Sequence, residues 1–203
     1  TIANYDEVFC RVAFNNKLIK KDWRGNKQAL RKKIIKDKNE EVWKKLQGQV
    51  YGPFMKNAEV YEGFKSFLYR ARRKKHDLYI ISHKTKFGHY DQTLTPLRDV
   101  ALEWLIENNI VGNKKHEIPI ENVFFLSERK EKIAKIESLS LDYFIDDLYE
   151  LLLEINNPKI KKILFQATNI SNPNDLKHFN NWHAISNYIY GKFCNDEIKE
   201  IFN

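Results

Sequence analysis

Three short stretches of this chain carry residue types that phosphoryl chemistry uses. Ser82-His83-Lys84-Thr85-Lys86 sets a hydroxyl and an imidazole beside two lysines. Glu128-Arg129-Lys130-Glu131-Lys132 offers two more lysines, and Asp146-Asp147 is a carboxylate pair. A hard divalent cation such as Mg²⁺ is held by one or two carboxylates and keeps several waters, a role open to Asp146 and Asp147. A phosphate needs hydrogen-bond donors and compact positive charge. Ser82, His83, Lys84, Lys130 and Lys132 are the candidates, Ser82 through its hydroxyl and a lysine through its compact charge. The spacing leaves Lys130 and Lys132 undecided. No nucleophile belongs to the set.

Each stretch follows or ends a short apolar run: Leu78–Ile81, Val123–Leu126 and Tyr143–Ile145 read as strands, and Ile163–Phe165 as a fourth. Between them lie segments of helical apolar spacing. Val60, Phe64, Phe67, Leu68 and Ala71 fall on one helical face. Thr93 reads as the cap of a helix with Pro96 in its first turn and Val100, Ala101, Trp104 and Leu105 inward. Ile133, Ile136 and Leu139 mark a short helix. Leu148 to Ile155 marks another, stopped by Pro158, and Trp182 to Tyr190 a closing one.

Before residue 58 the texture differs. Helical stripes at Val8, Phe9, Val12 and Ala13, at Leu30, Ile34 and Ile35, and at Val42, Trp43 and Leu46 (ending near Gly48) suggest a small helical module at 10–57. Residues 1–9 and 58–203 then form the α/β core. Strands alternating with helices predict a mostly parallel sheet with helices on both faces. Right-handed crossovers bring every strand's carboxyl end to one rim, where ligands bind. The three stretches would converge there.

Composition narrows the classes. The 203 residues are 42% apolar and 13% aromatic, enough for a core and unlike a disordered chain. No apolar run reaches the roughly 18–20 residues that span a bilayer. Cys10 and Cys194 are too few for a disulfide scaffold or a cysteine zinc cluster, so a reducing cytoplasm is the expected compartment. The net charge of +8, read as lysine spread over the surface, leaves a solvated face and an electropositive functional face as alternatives. Neither a GxxxxGK[ST] loop nor a GxGxxG fingerprint occurs.

The order of these stretches resembles the haloacid dehalogenase (HAD) phosphohydrolase superfamily. Tyr79-Ile80-Ile81-Ser82 is similar to its second motif, Lys132 (less well Lys130) to its third, and Tyr143-Phe144-Ile145-Asp146-Asp147 to its fourth. The likeness covers residues 58 to about 165. It implies a Rossmann-like sheet with a small helical cap at 10–57, a Mg²⁺ cofactor, and hydrolysis of a small phosphomonoester through a phosphoaspartate. The family's first motif, a strand ending Asp-x-Asp-(Gly/Asn)-Thr, is absent. Thr1-Ile2-Ala3-Asn4 is similar to the end of that motif and the residues just past it, with Thr1 as the motif's threonine. The expectation is therefore that the nucleophile and its strand stand upstream of Thr1. A natural pseudo-enzyme is the alternative. Rival readings are a nucleotidase or polynucleotide-end phosphatase, and a non-catalytic phosphate- or nucleic-acid-binding module.

Simpler readings compete at each site. Asp146-Asp147 is also what a helix N-terminus favours, Ser82 what a turn favours, and the lysines what a solvated face favours. His83, His89 and Asp91 read as loop surface without zinc spacing. Arg70–Lys75 is a cationic run at a helix end, suited to the macrodipole, with a nucleic-acid patch as the alternative. Trp23, Trp43, Trp104 and Trp182 read as packing anchors, with Trp43 facing substrate if the cap forms.

Overall fold

The computed structural model describes residues 1–88, 94–165 and 176–192. Over these residues the chain is α/β, with eight α-helices and short strands in small sheets, mostly parallel. It divides into two compact units. Unit 1 comprises residues 1–2, 60–83 and 109–203, and unit 2 comprises 3–59 and 84–108. His89, Asp91, Thr93 and Cys194, to which the sequence assigns roles, lie outside the described residues.

Unit 1 contains the parallel strands. β3 (Ile80–His83) pairs with β4 (Val123–Leu126) in the register Ile81↔Phe124 and His83↔Leu126. β5 (Tyr143–Asp146) pairs with β6 (Lys161–Phe165), and β6 with β7 (Lys177–Phe179). Ile163, Leu164 and Phe165 are all buried, as a strand covered on both faces requires. Among the described residues β3 pairs with β4 alone and β5 with β6 alone, so the expected single sheet is in two pieces. One apolar cluster nevertheless joins them: Ile81 of β3, Phe144 of β5 and Leu164 of β6 pack with Ile136, Leu151, Leu152, Ile155 and Ile160. Each such side chain contributes about 1.5–3 kcal/mol on burial.

Helices α4 (Phe64–Arg73), α6 (Arg129–Ser138), α7 (Tyr149–Glu154) and α8 (Trp182–Tyr190) complete the described part of unit 1. α4 and α8 meet through rings, with Phe64 and Phe67 each 4.8 Å from Trp182. Asn181 caps α8 by accepting from the Ala184 N–H. At the other end Arg70, only 2% exposed, donates to the carbonyls of Tyr190, Gly191 and Lys192 at 3.3, 2.7 and 3.2 Å. The first two are carbonyls a helix end leaves without intrahelical partners, and the third lies just past it. Arg70 therefore leaves the cationic surface run expected at 70–75.

Unit 2 is mostly helical. β1 (Ala3–Asn4) and β2 (Glu59–Val60) pair as the chain enters and leaves its first segment. Between them α1 (Asp6–Asn15), α2 (Lys27–Asp37) and α3 (Glu40–Tyr51) pack together. Asn26 and Asn39 cap α2 and α3 with their side-chain oxygens. Phe9 stacks on Trp43 at 5.0 Å, and Trp43 is 2% exposed, so it is a core ring and does not face a ligand. The second segment supplies α5 (Leu97–Glu107), whose Trp104 donates its indole N–H to the Ala58 carbonyl at 2.9 Å.

Several boundaries depart from the sequence expectation. Val60 lies in β2, and α4 starts at Phe64 behind the left-handed Gly63. α3 runs through the buried Gly48 to Tyr51, because Trp43, Leu46 and Val50 continue its inward face. Pro96 precedes α5 instead of lying in its first turn, and Leu139 follows α6. β7 was hidden by its composition, Lys-His-Phe.

Candidate functional site

The carboxyl ends of β3, β4 and β5 are linked by a chain of polar contacts. β3 ends at His83, whose Nε2 lies 2.8 Å from the Ser127 carbonyl just past β4. The next residues form a reciprocal cap: the Glu131 carboxylate accepts from the Ser127 and Glu128 N–H groups at 3.0 Å, and the Glu128 side chain accepts from the Glu131 N–H. This fixes the first turn of α6. Arg129 pairs with Glu154 of α7 at 2.7 Å and ties the two helices. Lys132, one residue beyond the cap, then points inward and donates to Asp146 Oδ2 at 2.6 Å.

That pair is the electrostatic centre of the rim. Lys132 is 8% and Asp146 7% exposed, at the end of β5. Two charges this buried hold only because each neutralises the other and finds further partners. The second Asp146 oxygen, Oδ1, accepts from the Leu148 N–H at 2.9 Å. The Lys132 ammonium also lies 5.7 Å from the Phe144 ring centroid. Asp147 points the other way, its side chain 57% exposed and Oδ1 3.6 Å from the Thr1 amine. The Thr1 carbonyl in turn accepts from the Trp182 indole at 3.0 Å.

Among the described residues no group of three or more His, Cys, Asp or Glu side chains is gathered to hold a metal. Mg²⁺ asks for less, one or two carboxylates completed by water. The donor set at the end of β5 fits that minimum. Asp147 presents an exposed carboxylate, and each Asp146 oxygen keeps a lone pair beyond its present bond. Asp146 is nonetheless committed to Lys132, and Asp147 is the more exposed of the two.

The structure brings Ser82, His83, Lys132, Asp146 and Asp147 into unit 1. Ser82 is half-buried in β3 opposite Phe125, inside the strand and not after it. Lys130 is exposed, while Lys132 makes the buried contact. Lys84 belongs to unit 2. Its ammonium lies 5.3 Å from the Tyr51 ring centroid, and burial pulls its pKa down to about 8. The sequence reading included Glu128 and Glu131 but not the reciprocal cap they form, and it missed Ser127. A glutamate in the capping place falls outside the Ser/Thr-x-x-Glu pattern that signals such a box.

No protein-family model matches this chain, and no curated protein matches it.

Proposed function

We propose that the strand-end rim of unit 1 binds a phosphate group with Mg²⁺ and serves a phosphatase acting on a small phosphomonoester. The carrying observation is the buried Lys132–Asp146 pair at the end of a parallel strand, with the exposed Asp147 beside it. Parallel strands direct ligands to this rim. Lys132 supplies a fixed positive charge to a phosphoryl oxygen, and Ser82 a hydroxyl donor. Asp147, with Asp146, would hold the metal, whose chemistry is to neutralise charge on phosphate oxygens. Lys132 is then shared between Asp146 and the substrate.

By its resemblance to HAD phosphohydrolases, the reaction uses an aspartate nucleophile on a further strand. The β3 edge away from β4 and the β5 edge away from β6 are where such a strand would pair. The test is a Mg²⁺-dependent assay with p-nitrophenyl phosphate on the full-length protein. Turnover that Asp147→Asn lowers at least about 100-fold, with an acid-stable phosphoenzyme detected by mass, is expected. Absence of turnover in the full-length protein sinks the catalytic reading. Phosphate perturbing the Lys132 and Ser82 resonances without turnover would leave the non-catalytic binding module.

A further inference from the structure

The positive charge of this protein is concentrated and not spread as its composition suggests. Residues 17–38 hold ten lysines and arginines against Asp22 and Asp37, and the other 181 residues balance at 25 of each sign. The whole excess of +8 therefore sits on the loop between α1 and α2 and on α2 itself. Eight of the ten cations are exposed, with Lys27 and Lys33 half-buried. Lys33 pairs with Asp37 at 2.6 Å. Two aspartates cannot neutralise ten cations, so the surface keeps a strong positive field at physiological salt.

The same stretch is shaped. A cleft of about 770 Å³ is lined by Phe14, Leu18 and Trp23 together with Lys17, Lys20 and Lys33, and by one acid, Asp22. Phe14 is 44% exposed although it is a large aromatic. Trp23 is seated over Gly25, where a Cβ would come within 2.6 Å of the indole Cη2. Glycine is thus what lets the ring take this position. α2 turns Leu30 and Ile34 into the unit's core and its basic side outward. That leaves no apolar helix face for acyl chains, which disfavours a membrane. Flat rings among lysines are instead the arrangement that takes stacked bases and tracks phosphates.

We infer that the α1–α2 loop and α2 of unit 2 form a docking surface for single-stranded nucleic acid, with Phe14 and Trp23 stacking on bases and the lysines contacting phosphates. The surface lies wholly in unit 2, and binding there stands or falls separately from phosphatase activity in unit 1.

Fluorescence anisotropy of the full chain with a labelled 20-nucleotide single strand, over a salt series, tests this. Tight binding at 50 mM salt that weakens linearly on a log–log plot is expected. Neutralising Lys20, Lys21, Arg31 and Lys32 to Gln, all exposed, should flatten that slope by about 3 and weaken binding more than tenfold. Trp23→Ala should weaken it roughly 5- to 150-fold, and Trp23→Phe should restore most of the loss. Circular dichroism checks that each variant is folded. Three results overturn the inference: no binding at 50 mM salt, equal affinity for poly-glutamate or anionic vesicles, or a fourfold variant that binds like the parent.

Discussion

Lys132 and Asp146 act as one group, and single substitutions should reveal it. Removing either partner strands the other charge in a site less than 10% exposed. Lys132→Met and Asp146→Leu should each cost about 3–5 kcal/mol in urea unfolding, while the double variant should cost clearly less than their sum. Additive losses would refute the coupling. Lys84 gives a pH signature of the opposite kind. Its folded pKa is lowered to about 8 by burial, so the unfolded chain binds more protons between pH 8 and the ordinary lysine value of 10.5. Stability should therefore rise as pH is raised through that window, by on the order of 1–2 kcal/mol, and Lys84→Met should flatten the rise. Of these residues, the acidic pair was legible because it ends an apolar run. The choice of Lys132 over Lys130 was not, since it depends on which side of α6 meets β5.

At the scale of elements, the helices are set by their caps and inward faces, and one is held by a distant side chain. Arg70 of α4 engages the Ser186 hydroxyl of α8 and the Tyr190 and Gly191 carbonyls at its carboxyl end, across more than 110 residues of sequence. Arg70→Met should remove the bonds to Tyr190, Gly191 and Lys192 and lower stability by about 1.5–3 kcal/mol, with amide exchange in α8 rising more than in α6. Uniform exchange across both helices would argue against the clamp. Asn39→Ala removes a cap that accepts from the Val42 N–H at 2.9 Å, and should cost about 1 kcal/mol in thermal unfolding. Helix positions were largely readable because stripes such as Val8, Phe9 and Val12 repeat at the helical period. The ends were read less well. Gly48 looks like a stop, but the packing of Leu46 and Val50 on either side carries α3 past it.

Across the whole molecule, charge is partitioned between segments of chain, and salt should expose this. Ten cations crowded over residues 17–38 repel one another, and the repulsion is screened over about 8–10 Å at moderate salt. Raising NaCl from 0.05 to 0.3 M should raise Tm, and the variant with Lys20, Lys21, Arg31 and Lys32 neutralised should lose most of that rise. An identical salt response in both proteins would mean the cluster is not a source of strain. The amino-acid sequence by itself determined the α/β class, the alternation of strands with helices and the position of the acidic pair, because these follow from local periodicity and from which residues end apolar runs. It also held the clustering of charge at 17–38, which a net total conceals. Only the tertiary structure decided that Lys132 meets Asp146, that Trp43 is a core ring, that Lys84 lies in unit 2, and that among the described residues the parallel strands form two pieces joined by one apolar cluster. Those facts rest on contacts between residues far apart in the chain, and no local pattern encodes the direction in which a side chain finally packs.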